Sequence, residues 1–158
     1  MFRNRIIGYA LLIGLICAVG FGLLYSIGND TGLADYEANQ PTISLREVSE
    51  DTPDEIAAEL IRRWLEHFKT GEVGWSSRIV DYEIHDVGVR TQYANSPEYQ
   101  GMLVASASFS VKPTRWNYDN WVPGNGVAEG DWVKHKFLFF AINREGDSYR
   151  LHVIGSAP

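Results

Sequence analysis

Cysteine is almost missing from this chain: Cys17 is the only one in 158 residues. No internal disulfide is available, so stability must come from packing. Positive charge is also scarce, with 14 Lys and Arg against 20 Asp and Glu and a formal charge of -6. That balance excludes a basic nucleic-acid-binding surface, and no nucleic acid is expected as a partner. Six prolines and 15 glycines are ordinary numbers, which excludes collagen-like and low-complexity disordered classes. No internal repeat is present. No HExxH or CxxC spacing offers metal ligands, and no GxSxG elbow offers a nucleophile. Gly124-Asn125-Gly126 lies before a strand rather than a helix, so it is a turn former and not a phosphate loop. No catalytic residue, metal or cofactor is expected on these grounds.

What the chain does have is one long apolar run. Residues 6–27, IIGYALLIGLICAVGFGLLYSI, carry no charge. As a helix they span about 33 Å, enough for a hydrocarbon core of about 30 Å. Arg3 and Arg5 precede the run, and the next base is Arg46. The expectation is a single-pass membrane anchor in contact with lipid. Residues 1–5 form a cytoplasmic stub and the C-terminal part lies outside the cell membrane. Ala10, Gly14, Ala18, Gly22 and Ser26 recur every fourth residue. Small residues at this spacing predict helix–helix association, with a second copy or another membrane protein.

Residues 28–52 read as an acidic linker; eight acids face one base over 29–55. Residues 53–158 read as an extracytoplasmic α+β domain. Thr52-Pro53-Asp54-Glu55 is a capping box with proline at the first helical position. Ile56, Leu60, Ile61, Trp64, Leu65 and Phe68 follow as an apolar stripe at helical spacing. Four strands are predicted, at about 77–90, 101–112, 132–143 and 148–155, with a bulge near His85-Asp86 where the apolar phase changes. The match of apolar positions pairs Ala141 with Leu151 and sets Val153 opposite Phe139. The predicted fold is therefore a transmembrane helix, then one helix packed on a four-stranded antiparallel meander.

This element order resembles the nuclear-transport-factor-two-like and cystatin-like superfamilies. The resemblance rests also on the closing stretch Trp132…Phe140…Gly146…Tyr149…Ile154-Gly155…Pro158. The chain looks like small membrane-anchored bacterial proteins with such an outer domain. The resemblance implies a helix seated in a curved sheet, on a scaffold that serves enzymes, binders and assembly subunits alike.

The stretch 113–131, PTRWNYDNWVPGNGVAEGD, is long for a connection inside a small domain. Arg115, Trp116, Tyr118 and Trp121 are its binding candidates, because interleaved rings and polar groups suit a glycan or a protein surface. Tyr82, His85, Trp132 and His135 are candidates for a pocket in the sheet concavity. Two functions follow. The first is a membrane-anchored, noncatalytic interaction domain in an envelope or membrane assembly. The alternative is a small-ligand or glycan-binding domain, with or without chemistry, that uses the concavity and the aromatic loop.

Overall fold

A computed structural model describes residues 39–48, 50–71, 77–93, 96–121 and 125–156. The first strand, β1 (Thr42–Ser44), precedes an 18-residue helix, α1 (Pro53–Thr70). Thr52 caps α1: its hydroxyl accepts from the Glu55 amide, and the Glu55 carboxylate accepts from the Thr52 amide at 2.6 Å. Gly71 ends the helix at φ 78, a left-handed conformation that suits glycine. Strands β2 (Ile79–Val89) and β3 (Leu103–Pro113) follow, joined by two 3-10 turns, Thr91–Tyr93 and Pro97–Tyr99. A one-turn helix, α2 (Tyr118–Trp121), and a short strand, β4 (Val127–Glu129), precede the long hairpin of β5 (Trp132–Glu145) and β6 (Ser148–Gly155).

These strands form one curled antiparallel sheet of six strands. The order is β1-β6-β5-β3-β2, and β4 pairs with β5 off that path. One face carries α1. Ile56, Ala57, Leu60, Ile61, Trp64, Leu65 and Phe68 of α1 pack there on Ala105, Ala107, Phe109 and Val111 of β3 and on Val133, Leu138, Phe140 and Ile142 of β5. Trp64 is the hub, with its ring 4.9 Å from Phe68, 5.4 Å from Phe140 and 6.0 Å from Phe109. Each such ring or branched chain, fully buried, stabilises the fold by about 1.5–3 kcal/mol. The other face, here the open face, takes the alternate residues of β3, Ser106, Ser108 and Ser110. Its upper part is covered by Tyr93, Tyr99 and Met102, which pack with Val104, Phe139, Ala141 and Ile154.

Several expectations need correction. The sheet has six strands rather than four, and the described residues contain two helices rather than one. The linker region supplies β1, which pairs with β6 at Thr42–Arg150, Ile43–Tyr149 and Ser44–Ser148. Ile43 and Val48 are buried in the main core. The β5–β6 register lies one residue from the expected one: Ile142 faces Leu151 and Phe140 faces Val153. The cause is an unforeseen bulge in β5, between the residues that pair with Phe109 and Val111. It reverses the phase of the strand, so Leu138 and Phe140 enter the core in place of Phe137 and Phe139. The bulge expected near His85 is present, between Ile84 and Asp86.

The membrane expectations also fail. Among the described residues no helix is long and apolar enough to cross a membrane. The long helix α1 has charged Glu59, Arg62 and Arg63 on its outer side, which suits a helix lying on a sheet. The segment 6–27 and its small residues Ala10, Gly14, Ala18, Gly22 and Ser26 lie outside the described residues. The single-pass topology, the two-sided localisation, the lipid contact and the membrane-assembly function all hang on that segment. None gains support from the fold, and the resemblance to membrane-anchored proteins falls with them.

Candidate functional site

The loop after β3 is where the fold leaves large side chains with unequal fates. Pro113 is buried at the end of the strand, and the chain then turns tightly. The Asn117 amide donates to the Thr114 carbonyl at 2.9 Å, and the Asn120 amide to the Asn117 carbonyl at 3.1 Å. Trp121, at the end of α2, points inward and is 0% exposed. Its ring lies 5.3 Å from Phe68 and 6.5 Å from Trp64, and its indole N–H donates to the Ser77 carbonyl at 3.1 Å. Trp121 is therefore a core residue that anchors the loop.

Trp116, five residues earlier, is 79% exposed. Its neighbours in the turn are fastened. Asn117 is buried and donates through Nδ2 to the Arg78 carbonyl at 3.3 Å. Tyr118 is half-buried and donates through its hydroxyl to the Trp132 carbonyl at 3.3 Å. A buried lysine supplies a further tie: Lys136, only 4% exposed, donates through Nζ to the Trp121 carbonyl at 2.8 Å. Burial pushes its ammonium down to about 8. Trp116 thus stands on a turn held to the core by Asn117, the next residue, and by Tyr118 and Trp121 at the two ends of α2.

Beside this turn is an open groove of about 660 Å³, lined by Val80, Lys112, Arg115, Tyr118, Asp119 and Asp131 among others. Lys112 and Asp131 form an ion pair across it, and the lysine holds the Asp131 carboxyl below its ordinary range. Arg115 and Asp119 are exposed. The groove therefore combines a phenol, a guanidinium and carboxylates, and exposed Trp116 follows Arg115 of its lining in the chain. A second groove, lined by Ser44, Leu45, Arg46, Asp147 and Ser148, has no aromatic ring.

Among the described residues, the four candidates for a pocket in the concavity do not share one site. The helix face of the sheet is filled by the aromatic cluster around Trp64. Tyr82 is on that side and donates to the Glu66 carboxylate of α1 at 3.0 Å. Burial, and then Glu66, raise its phenol above the usual value. Trp132 is half-buried, and it meets the loop through its carbonyl and Tyr118. His85 and His135 do come together, 6.0 Å apart, but beside Ser110 on the open face. Of the loop candidates, Arg115 and Tyr118 share the groove, Trp116 is exposed beside Arg115 in the chain, and Trp121 is in the core.

Lys112, Lys136, Asp119 and Asp131 were missed. Lys136 was hidden because it sits in an apolar strand whose facing residues depend on the bulge. Lys112 and Asp131 become neighbours only through strand pairing. Compared with known proteins, the chain matches no family model, no curated protein and no solved structure.

Proposed function

We propose that this domain binds a small polar ligand, and that a saccharide is the chemistry that suits the site. The observation that carries this reading is Trp116, 79% exposed on a turn whose neighbours are fixed. A large exposed ring on a rigid support loses little entropy on binding and presents an apolar face. The C–H face of a pyranose stacks on such a ring. Arg115 and Asp119, which line the groove, supply a donor and an acceptor for its hydroxyls. The shape of the groove agrees with binding sites that combine one ring with a few convergent polar groups. The second expected function, a glycan or small-ligand binder, is thus the one this arrangement supports, with the loop rather than the concavity as its seat.

The test is a saccharide screen on the full chain, followed by calorimetry on the hits. Trp116→Ala is expected to weaken binding by about tenfold or more, the loss of about 1.4 kcal/mol or more, while the melting temperature stays unchanged. Arg115→Gln is expected to weaken it less. Equal affinity of Trp116→Ala and wild type for every hit would remove the basis of the proposal.

A further inference from the structure

We propose that His85 and His135 form an exchangeable site for a divalent transition metal on the open face of the sheet, with Cu²⁺ the preferred ion. The geometry begins with two separate irregularities. His85 is the extra residue of the bulge in β2, and His135 lies in the bulge of β5. Both strands flank β3: the β5 bulge lies opposite Ser110, the β2 bulge opposite Phe109 and Ser108, and His85 reaches back to Ser110. Two strands on either side of a third are about 10 Å apart in a regular sheet. The two imidazole rings are nonetheless 6.0 Å apart, centre to centre, and tilted by 37°. Bulges re-aim side chains in this way, and they are enriched at functional sites.

The spacing suits a shared ion. With a metal–nitrogen bond of about 2.0–2.1 Å, a ligating ring is centred about 3.2 Å from the metal. Two such rings lie about 5.2 Å apart at a tetrahedral angle and about 6.4 Å apart in the trans arrangement of a tetragonal Cu²⁺ site. The observed 6.0 Å falls within that span.

His135 adopts φ 57, among the described residues the one non-glycine with positive φ. Glycine would take this conformation without strain, so the imidazole is kept there against the backbone's preference. His135 is exposed and makes no side-chain hydrogen bond among the described residues. His85 Nε2 is paired with Ser110 Oγ at 2.7 Å, which steadies the ring and leaves Nδ1 as the other ligand position.

The charges around the pair do not oppose a cation. Lys112 is paired with Asp131, Lys134 with Glu129 at 3.2 Å, and Arg90 with Asp86 at 3.6 Å. Glu83, an exposed carboxylate, pairs in register with Ser110. Among the described residues no group of three His, Cys, Asp or Glu converges. The site therefore supplies two imidazoles and leaves the remaining positions to water, which makes it open and exchangeable rather than structural. For imidazole donors the divalent order places Cu²⁺ highest. The inference is independent of the saccharide reading.

The experiment titrates the full, tag-free chain with Cu²⁺ by calorimetry and records the electron paramagnetic resonance of the bound ion. Wild type is expected to bind one Cu²⁺ with the nitrogen couplings of two imidazoles. His85→Ala and His135→Gly should each reduce the couplings to one ring and weaken binding by about tenfold or more. His135→Gly also guards against misfolding: it relieves the backbone, so its melting temperature should equal or exceed that of wild type while Cu²⁺ no longer raises it. His152→Ala should bind as wild type does. No Cu²⁺ binding by wild type overturns the proposal, and so does undiminished binding by folded His135→Gly.

Discussion

Lys136 and Trp116 are both out of place by the ordinary rules of burial: a lysine is inside and a tryptophan outside. The lysine ammonium is desolvated by burial, and it donates to the Trp121 carbonyl at 2.8 Å. Its folded-state value of about 8 lies below the ordinary 10.5. Below pH 8 the folded protein must hold a buried charge that the unfolded chain leaves in water. The cost is complete there and disappears as pH rises from about 8 to 10.5. Lys136→Met removes that cost, which is up to about 3 kcal/mol, but leaves the Trp121 carbonyl without the ammonium, at about 1 kcal/mol. The variant is expected to be more stable than wild type by about 2 kcal/mol at pH 7, with the gap closing toward pH 10.5. Denaturant melts at several pH values check this, and a gap that does not depend on pH would refute it. If the lysine serves to hold the loop, the same variant should bind the Trp116 ligand more weakly although it is more stable.

Helix α1 shows how much of an element is written locally. Thr52, Pro53 and Glu55 start it and Gly71 ends it, as the residue types require. Thr52→Ala is expected to lower stability by about 1 kcal/mol in urea melts, because the Glu55 amide loses its acceptor and the Glu55 carboxylate loses the hydroxyl. The solvent side of α1 is tied into β1 by contacts that local spacing does not announce. Arg63 donates to Glu59 of its own helix, to Glu47 and to the Thr42 carbonyl of β1. Hydrogen bonds from Arg62, and also from Arg63, hold the Glu59 carboxyl down to about 2 against partial desolvation. A depressed carboxyl stabilises the fold above its ordinary value and loses that contribution as pH falls. Wild type is therefore expected to lose stability between about pH 4.5 and 2, and Glu59→Gln to lose less over the same range. Acid titrations followed by circular dichroism measure the difference.

The described residues form a sheet whose path ends in two unlike strands, β1 and β2. β1 has three residues and is pinned by α1 and β6, whereas β2 has 11 and carries two irregularities. Such irregularities and exposed Asp81, Glu83 and Asp86 blunt a long free edge against pairing with another chain. β1 places Ile43, 2% exposed, in the main core. Ile43→Ala is expected to cost about 2–4 kcal/mol, as any core isoleucine would, although it lies in a segment whose composition suggests a tether. Thermal melts decide between the two: a tether residue would shift the midpoint by less than about half a kcal/mol equivalent.

Local rules account for α1, for the positions of β2, β3, β5 and β6 to within about two residues, and for the bulge at His85. Each follows from neighbours a few positions away: caps, the 3.6-residue stripe, alternation and its break. β1 and β4 escaped because three-residue strands have no period to detect and form only where a partner edge is offered. The opposite fates of Trp116 and Trp121 could not be told from two similar rings in one loop; the turn after Pro113 and the opening beside Phe68 set them. The bulge in β5 did the rest. By adding one residue between the partners of Phe109 and Val111 it buried Lys136, turned out His135 and fixed which aromatic residues fill the core. A one-residue change of phase reverses every later side chain in a strand, and only pairing with a neighbouring strand shows where that change occurs.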